Sequence, residues 1–452
     1  MLAVVAVLLA AIAPGPDMAP VTPAGLEGRP AAGERSPLQQ RIDAAQPGAV
    51  LEIEPGTYSG DIVVDRPLRL VGRGRPLLYG SGRGSVVRVR AAGVTIEGFE
   101  IDGRGGGDLG RDSSGIHVAA SGVTVRDCVI RGCLFGIYLR EARGATVEKC
   151  SIDGIPGREP GEKGSGIHVW NTDGFALLGN TIRDTRDGFY IQSSSHGVIR
   201  GNTARDLRYG LHYMFSDDNV FEDNRFESGA AGTALMYSKR ITFRRNQFVH
   251  NRGFASVGLL LKACDDVNAE DNLIADNARG IFLEGSYRNA FRRNVVAASD
   301  VAVVLYDSCG GNRFEENAFV GNMSPLSLVG RRTDTVFDGN YWSDNDEPDL
   351  DGDGRSDLPY RLSSVFDHLR GNVLAADVMA QGLGASALGV AERVFPVLDP
   401  VEAEDHSPLV RPPALPAVPR PDSGKGSLSI AGLMVSLLAV SGGLLGLVRG
   451  AR

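Results

Sequence analysis

Residues 199–226 read IRGNTARDLRYGLHYMFSDDNVFEDNRF. Asn202 and Asn224 stand 22 residues apart in this stretch, with Gly210-Leu211-His212-Tyr213 between them. Both features recur on either side. The pattern apolar-x-x-Asn-x-apolar returns as Leu177-Leu178-Gly179-Asn180-Thr181-Ile182, Phe243-Arg244-Arg245-Asn246-Gln247-Phe248 and Phe291-Arg292-Arg293-Asn294-Val295-Val296. Its asparagines form the series Asn180, Asn202, Asn224, Asn246, Asn272, Asn294, Asn317 and Asn340, in steps of 22 or 23 residues with one of 26. Earlier repeats place Phe99, Cys128 and Cys150 in the same slot. The second pattern starts with glycine and alternates, as in Gly115-Ile116-His117-Val118, Gly136-Ile137-Tyr138-Leu139, Gly166-Ile167-His168-Val169 and Gly188-Phe189-Tyr190-Ile191.

Alternation with period two marks a strand with one buried face. A strand returning at a fixed short interval marks a coil that stacks on its successor, so that equivalent residues form ladders. An asparagine at each corner can take left-handed geometry and bond neighbouring backbone with its amide. A single coil cannot bury its own core, so many are needed and the ends must be capped. The expected fold is all-β, a right-handed parallel β-helix over residues 37–345. A β-propeller is the rival, but its repeats of about 40–45 residues are twice this period. Residues 37–60 read as the N-terminal cap and first coil, and residues 346–370 as an acidic loop and C-terminal cap. Insertions fall at Ile155–Ser165 and in the long step between Asn246 and Asn272. Such insertions collect on one face, often the binding face.

Both ends of the chain address a membrane. Residues 1–20 contain the apolar run Leu2–Ala13, too short for an easy span, and read as a secretory signal or an N-terminal anchor. Residues 428–448 form a second uncharged run followed by Arg449 and Arg452. It is long enough for a transmembrane helix, with the arginines cytoplasmic. Residues 371–427 read as a partner-docking segment and a proline-rich linker. These expectations put the solenoid in the periplasm or otherwise outside the cytoplasm, anchored to the membrane at its C-terminus.

The chain has 452 residues and a net charge of −8. Its arginine pairs sit beside acids at repeat spacing, so no basic stripe for nucleic acid forms. Five cysteines without a CxxC pair argue against a thiolate zinc site. Cys128 and Cys150 should stack one coil apart. Stacked free thiols are preferred, and a disulfide is also within reach.

If Ile116 and Val118 point inward, His117 points outward, and Tyr138, His168, Tyr190 and His212 continue that ladder. Two residues further along each strand lie Trp170, Gln192, Met214 and Met236. This exposed strip of imidazoles, aromatics and thioethers is a ligand- or partner-binding candidate. His212, Met214 and Met236 should meet on adjacent strands, and such donors suit Cu(I). The plainer reading is a strip that packs against an inserted loop or a partner. Asp349, Asp351, Asp353 and Asp357 alternate around glycines like the start of a calcium loop, although Tyr360 stands where a bidentate Glu would be expected. The plainer reading there is a solvated acidic turn.

Parallel β-helices commonly act on polysaccharides through paired carboxylates or calcium with a basic residue. The candidates here are Asp187 and the doublets Asp217-Asp218 and Asp265-Asp266. Adjacent acids on a strand point opposite ways, and no serine or cysteine nucleophile stands out with a base. Tyr209-Gly210-Leu211-His212 matches only part of the Tyr-Gly-x-Asp-Pro-His pattern of uronan epimerases. An enzyme is therefore not expected.

The whole chain resembles the NosD family, periplasmic maturation factors of nitrous-oxide reductase. The resemblance is carried by the secretory start, the asparagine-laddered coils, Tyr209-Gly210-Leu211-His212-Tyr213-Met214 and Gly339-Asn340-Tyr341-Trp342. It continues through Asp349–Gly354, Asp357-Leu358-Pro359-Tyr360, Glu392-Arg393-Val394-Phe395-Pro396 and Asp405-His406-Ser407-Pro408-Leu409. It implies a scaffold for copper-site assembly that works with an ABC transporter permease and ATPase, a copper chaperone and nitrous-oxide reductase. In that setting Val373–Phe395 would pack on the permease. The C-terminal span departs from a freely diffusing family member. A polysaccharide lyase, epimerase or hydrolase and a carbohydrate-binding solenoid are the competing readings.

Overall fold

The computed structural model describes residues 35–362, apart from 108, 109, 111, 254, 255, 331 and 332, and residues 403–419. The expected signal segment, the span at 428–448 and the segment Val373–Phe395 lie outside the described residues. Among the described residues no helix is long and apolar enough to cross a membrane.

Each coil contributes one strand to each of three sheets. In the coil around Asn202 these are Val198–Arg200, Thr203–Arg205 and Tyr209–Met214. The first, second and third sheets contain 15, 13 and 12 strands among the described residues, and successive coils pair in parallel. Antiparallel pairing appears at the C-terminal end, where Tyr360–Arg361 joins Glu404–Asp405 and Arg355 bridges Leu409. The architecture is a right-handed parallel β-solenoid.

The corner between the first two sheets differs in detail from the expectation. The left-handed residue is the one before the asparagine: Gly179, Gly201, Asp223, Arg245, Asp271, Arg293, Glu316 and Gly339 have φ between 50° and 67°. The asparagine itself turns its side chain into the solenoid. Asn202 receives Asn180 N–H on Oδ1 at 2.8 Å, and its own Nδ2 donates to Leu177 O at 2.9 Å and Asn224 Oδ1 at 2.9 Å. The same bonds repeat at Asn224, Asn246, Asn272, Asn294 and Asn317. The ladder therefore satisfies corner groups that no strand pairing reaches. Cys150 begins it, with its N–H on Asn180 Oδ1 at 2.9 Å. All five cysteines are free and buried, as stacking of Cys128 and Cys150 predicts.

Inside the coils, like stacks on like. Phe221 lies 4.8 Å from Phe243, and Phe291 lies 4.4 Å from Phe314, with planes within 16° and 6° of parallel. Strand spacing of about 4.8 Å imposes this separation. Outside, arginines reach carboxylates one coil away, as in Arg240 to Asp218, Arg245 to Asp223 and Arg293 to Asp271.

Both ends are closed. The helix Pro37–Ala44 starts at Ser36, whose hydroxyl accepts Gln39 N–H, and buries Leu38 and Ile42 on the first coil. Gln39 binds Val63 N–H and C=O, covering the open edge of the third sheet. At the other end, residues 403–410 join the solenoid, although they lie in the stretch read as linker. Asp405 is fully buried and pairs with Phe337. Its carboxylate accepts Gly339 N–H, Asn340 N–H, Asn340 Nδ2 and Trp342 Nε1 at 2.8–3.1 Å. A carboxylate thus ends the amide ladder, since it asks for no further acceptor. Trp342 stacks between Phe319 at 4.0 Å and Tyr360 at 5.1 Å.

Candidate functional site

The register of the third sheet aligns Arg88, His117, Tyr138, His168, Tyr190, His212, Ala234 and Leu260 in one outward row. A second row two residues on holds Arg140, Trp170, Gln192, Met214, Met236 and Lys262. Period-two alternation produces both rows directly. His168 lies face to face with Tyr138 and Tyr190, each at 4.4 Å, and Tyr190 meets His212 edge-on at 4.8 Å.

Two members of this strip, Tyr138 and His168, are not exposed, contrary to expectation, while His117 and Trp170 are half-buried. Tyr138 and His168 are 7% and 9% accessible. Phe135, at the start of its strand, packs edge-on against both rings at 5.4 and 5.3 Å, and Leu134 joins them. The Ile155–Ser165 insertion is tied over this corner. Gly164 N–H donates to Leu134 O at 3.1 Å, Arg186 N–H to Gly164 O at 2.8 Å, and Arg158 to Gly105 O at 2.7 Å. Burial drives the His168 pKa down to about 3, with Arg186 adding to the effect. Among the described residues its Nδ1 and the Ser165 hydroxyl have no hydrogen-bond partner. Past these two buried rings, the strip opens again at Tyr190.

There the structure assembles a polar cluster that alternation alone did not define. Asp187 opens its strand, in register with Ser165 and Tyr209, and its side chain is fully buried. Arg208 reaches it with two bonds, Nε to Oδ1 at 2.9 Å and Nη2 to Oδ2 at 2.7 Å, and lies over the Tyr209 ring at 4.4 Å. Arg186 Nε approaches at 3.3 Å. His212 Nδ1 stands 3.3 Å from Asp187 Oδ2. Burial works to raise the Asp187 pKa, and the bonds from His212 and Arg208 outweigh it, so the carboxyl lies below the ordinary range. Asp187 had been one of several carboxylate candidates. Its position just before the strand glycine was the available signal, but Arg208 comes from the next coil.

Beyond His212 the strip turns to sulfur. Met214 and Met236 are register partners on adjacent strands. The Tyr190 hydroxyl donates to Gln192 Oε1 at 2.8 Å and lies 3.9 Å from Met214 Sδ. The next residues, Phe215 and Tyr237, turn the corner with stacked rings 5.1 Å apart and stay about half exposed. The long step between Asn246 and Asn272 opens a cavity of about 460 Å³ beside this cluster, lined by Tyr209, Ala231, Ala234, Arg252, Val257 and Leu260.

The acidic loop gathers Asp349, Asp351 and Asp353, each offering an oxygen within 4.8 Å of the others. Asp357 does not join them. Its Oδ2 accepts Leu350 N–H, because that bond closes the base of the loop. The acid doublets are structural partners on the exterior: Asp217-Asp218 bind Arg240, and Asp265-Asp266 bind Arg288.

Known proteins match along most of the chain. The family model for periplasmic copper-binding protein (NosD) covers residues 153–347. A protein of Pseudomonas aeruginosa named probable ABC transporter binding protein NosD is 35% identical over 382 residues, spanning 81% of this chain and 89% of its own length. The protein of that name from Stutzerimonas stutzeri is 32% identical, over 79% of this chain and 86% of its own. Among solved structures, the A-module of the Azotobacter vinelandii mannuronan C-5 epimerase AlgE6 aligns with a TM-score of 0.57. It covers 66% of this chain and 93% of that one at 16% identity. The Dettilon tailspike protein aligns at 0.50 and 13% identity, over 64% of this chain and 63% of its own. At such identity these two share the fold alone. The sequence relatives carry more, and by them the chain belongs to the NosD family.

Proposed function

We propose that this protein is a non-enzymatic periplasmic scaffold for copper-site assembly in nitrous-oxide reductase. It receives Cu(I) as cargo on the open part of the third-sheet strip, at His212, Met214 and Met236. The observation that carries this reading is the contact of His212 Nδ1 with the buried Asp187 carboxylate. Arg208 Nη2 also lies 3.4 Å from this nitrogen; in the tautomer that keeps its proton on Nδ1, facing the carboxylate, the imidazole presents the lone pair of Nε2, as metal-binding histidines generally do. Two thioethers in register beside it complete a soft donor set, and soft donors favour Cu(I) over harder divalent ions. The Phe215–Tyr237 pair at the rim offers an apolar contact for a partner that delivers or removes the metal. The relatives' names support an ABC transporter as partner; the family resemblance alone suggests a copper chaperone as a further partner and the reductase as recipient.

The test replaces Met214→Leu together with Met236→Leu, which preserves volume. Cu(I) affinity, measured by competition with a chromophoric chelator, is expected to fall at least about tenfold for the lost ligands. Copper in the exported reductase should fall in cells carrying the variant. Unchanged Cu(I) affinity in the folded variant would remove the site from consideration.

Calcium is a second, structural reading for the opposite end. Asp349, Asp351 and Asp353 converge there, and hard carboxylate oxygens suit that ion.

A further inference from the structure

Ahead of the aromatic ladder, the outer face of the third sheet is basic. Arg88 is the register partner of His117. Arg88, Arg90, Arg140 and His117, with Asp112, line a concavity of about 310 Å³. Elsewhere on the solenoid many arginines meet carboxylates from neighbouring coils, as Arg200 does Glu222 and Arg288 does Asp266, while others, such as Arg104 over the Tyr79 ring, do not. Arg88 and Arg90 form no such pair among the described residues. Arg140 approaches Asp112 only at 3.8 Å and lies over the Trp170 ring at 5.1 Å. A separate observation points to the same spot. His117 Nε2 is buried without a hydrogen-bond partner, an omission native interiors rarely tolerate.

We propose that this concavity is a binding site for a small dianionic oxyanion of the sulfate or phosphate class. Charge complementarity supports that valence. Among the described residues Asp112 offsets one guanidinium, which leaves two uncompensated charges in a chain whose net charge is −8. Guanidinium forks match tetrahedral oxyanions, which accept several charge-assisted bonds at once. His117 supplies a further donor when protonated. In the free protein its pKa is lowered by burial first, then by Arg88, Arg140 and Arg90, against the opposing pull of Asp112. A bound anion reverses the arginine effect, so binding takes up a proton, and for sulfate, which stays dianionic, it tightens as pH falls. Asp112, the three arginines and the edge-on Tyr138 ring are the groups facing the imidazole.

Isothermal titration of the full chain with sodium sulfate and with sodium phosphate, at constant low ionic strength, tests the site. Saturable one-to-one binding is expected for at least one anion. It should weaken about tenfold or more in Arg88→Gln with Arg90→Gln and stay unchanged in Arg240→Gln, a surface arginine with its own partners. Tighter phosphate than sulfate would mean that Asp112 accepts a phosphate hydroxyl, and equal affinities would leave the arginines as the recognition element. The proposal is overturned by the absence of saturable binding for both anions, or by equal affinity in the folded double variant. Arg88→Lys, which keeps the charge and loses the fork, is expected to retain part of the binding.

Discussion

Asn202 illustrates how much one side chain accomplishes when its repeat is 22 residues long. Its amide accepts from the coil before, donates to the coil after and satisfies a strand carbonyl in the interior. The spacing of the asparagines made this ladder legible. Which residue takes the left-handed conformation was not legible, because the preceding slot holds Gly, Asp, Arg or Glu without preference. His168 shows the opposite case. Its place in the outward row followed from alternation, but its burial depends on Phe135 and an insertion. In the unfolded chain it titrates near 6.5, whereas in the folded protein the value is about 3. Between those values the unfolded state binds a proton that the native state refuses. Stability is therefore lost as pH falls from about 6.5, by up to about 1.4 kcal/mol per pH unit. The melting temperature of His168→Phe should fall less steeply than that of the natural chain between about pH 7 and pH 5. Parallel curves would show that the proton goes elsewhere.

At the scale of elements, the acidic loop and the segment 403–410 form one closure. Gly352 N–H and Gly354 N–H bind the two oxygens of Asp349, and Ser356 N–H reaches Pro408 O at 2.8 Å. Arg355 donates to the Ser407 carbonyl and hydroxyl, and Ser407 in turn binds Asp338 on the last coil. With Asp357 engaged at Leu350, three carboxylates remain for an ion. Calcium affinity scales with the number of charged ligands, so the expected dissociation constant is about 10⁻⁴–10⁻³ M. Millimolar calcium should raise the melting temperature and a chelator should reverse it. The same calcium response in Asp351→Asn with Asp353→Asn would place the effect elsewhere. The alternating acids were readable as a loop from their spacing. Their tie to Ser407, more than fifty residues away, was not.

For the whole molecule, stacking makes stability nearly one-dimensional, each coil resting on its neighbours. The Asn ladder must end, and Asp405 ends it with a buried carboxylate that serves four donors of the last coil. Asp405→Ala leaves those donors buried and unpaired, a cost of about 1–3 kcal/mol for each that finds no water. Amide exchange should then accelerate in Phe337–Trp342 and fade toward earlier coils, leaving Thr124–Asp153 unchanged. Uniform acceleration would mean that the solenoid opens as a single unit.

The sequence by itself determined the repeat, the coil of short stacked strands, the inward and outward rows and the alignment of Met214 with Met236. All of these follow from local alternation at a constant interval. The motifs around Tyr341 and Asp349 determined the family. Only the tertiary structure decided which part of the outward strip is open, because Leu134, Phe135 and the Ile155–Ser165 insertion cover Tyr138 and His168. It also decided that Asp187 and Arg208 flank His212, that Asp357 leaves the acidic cluster and that Asp405 terminates the ladder. Each of these pairings joins residues from different coils or from beyond the repeat, where no period relates one position to the other.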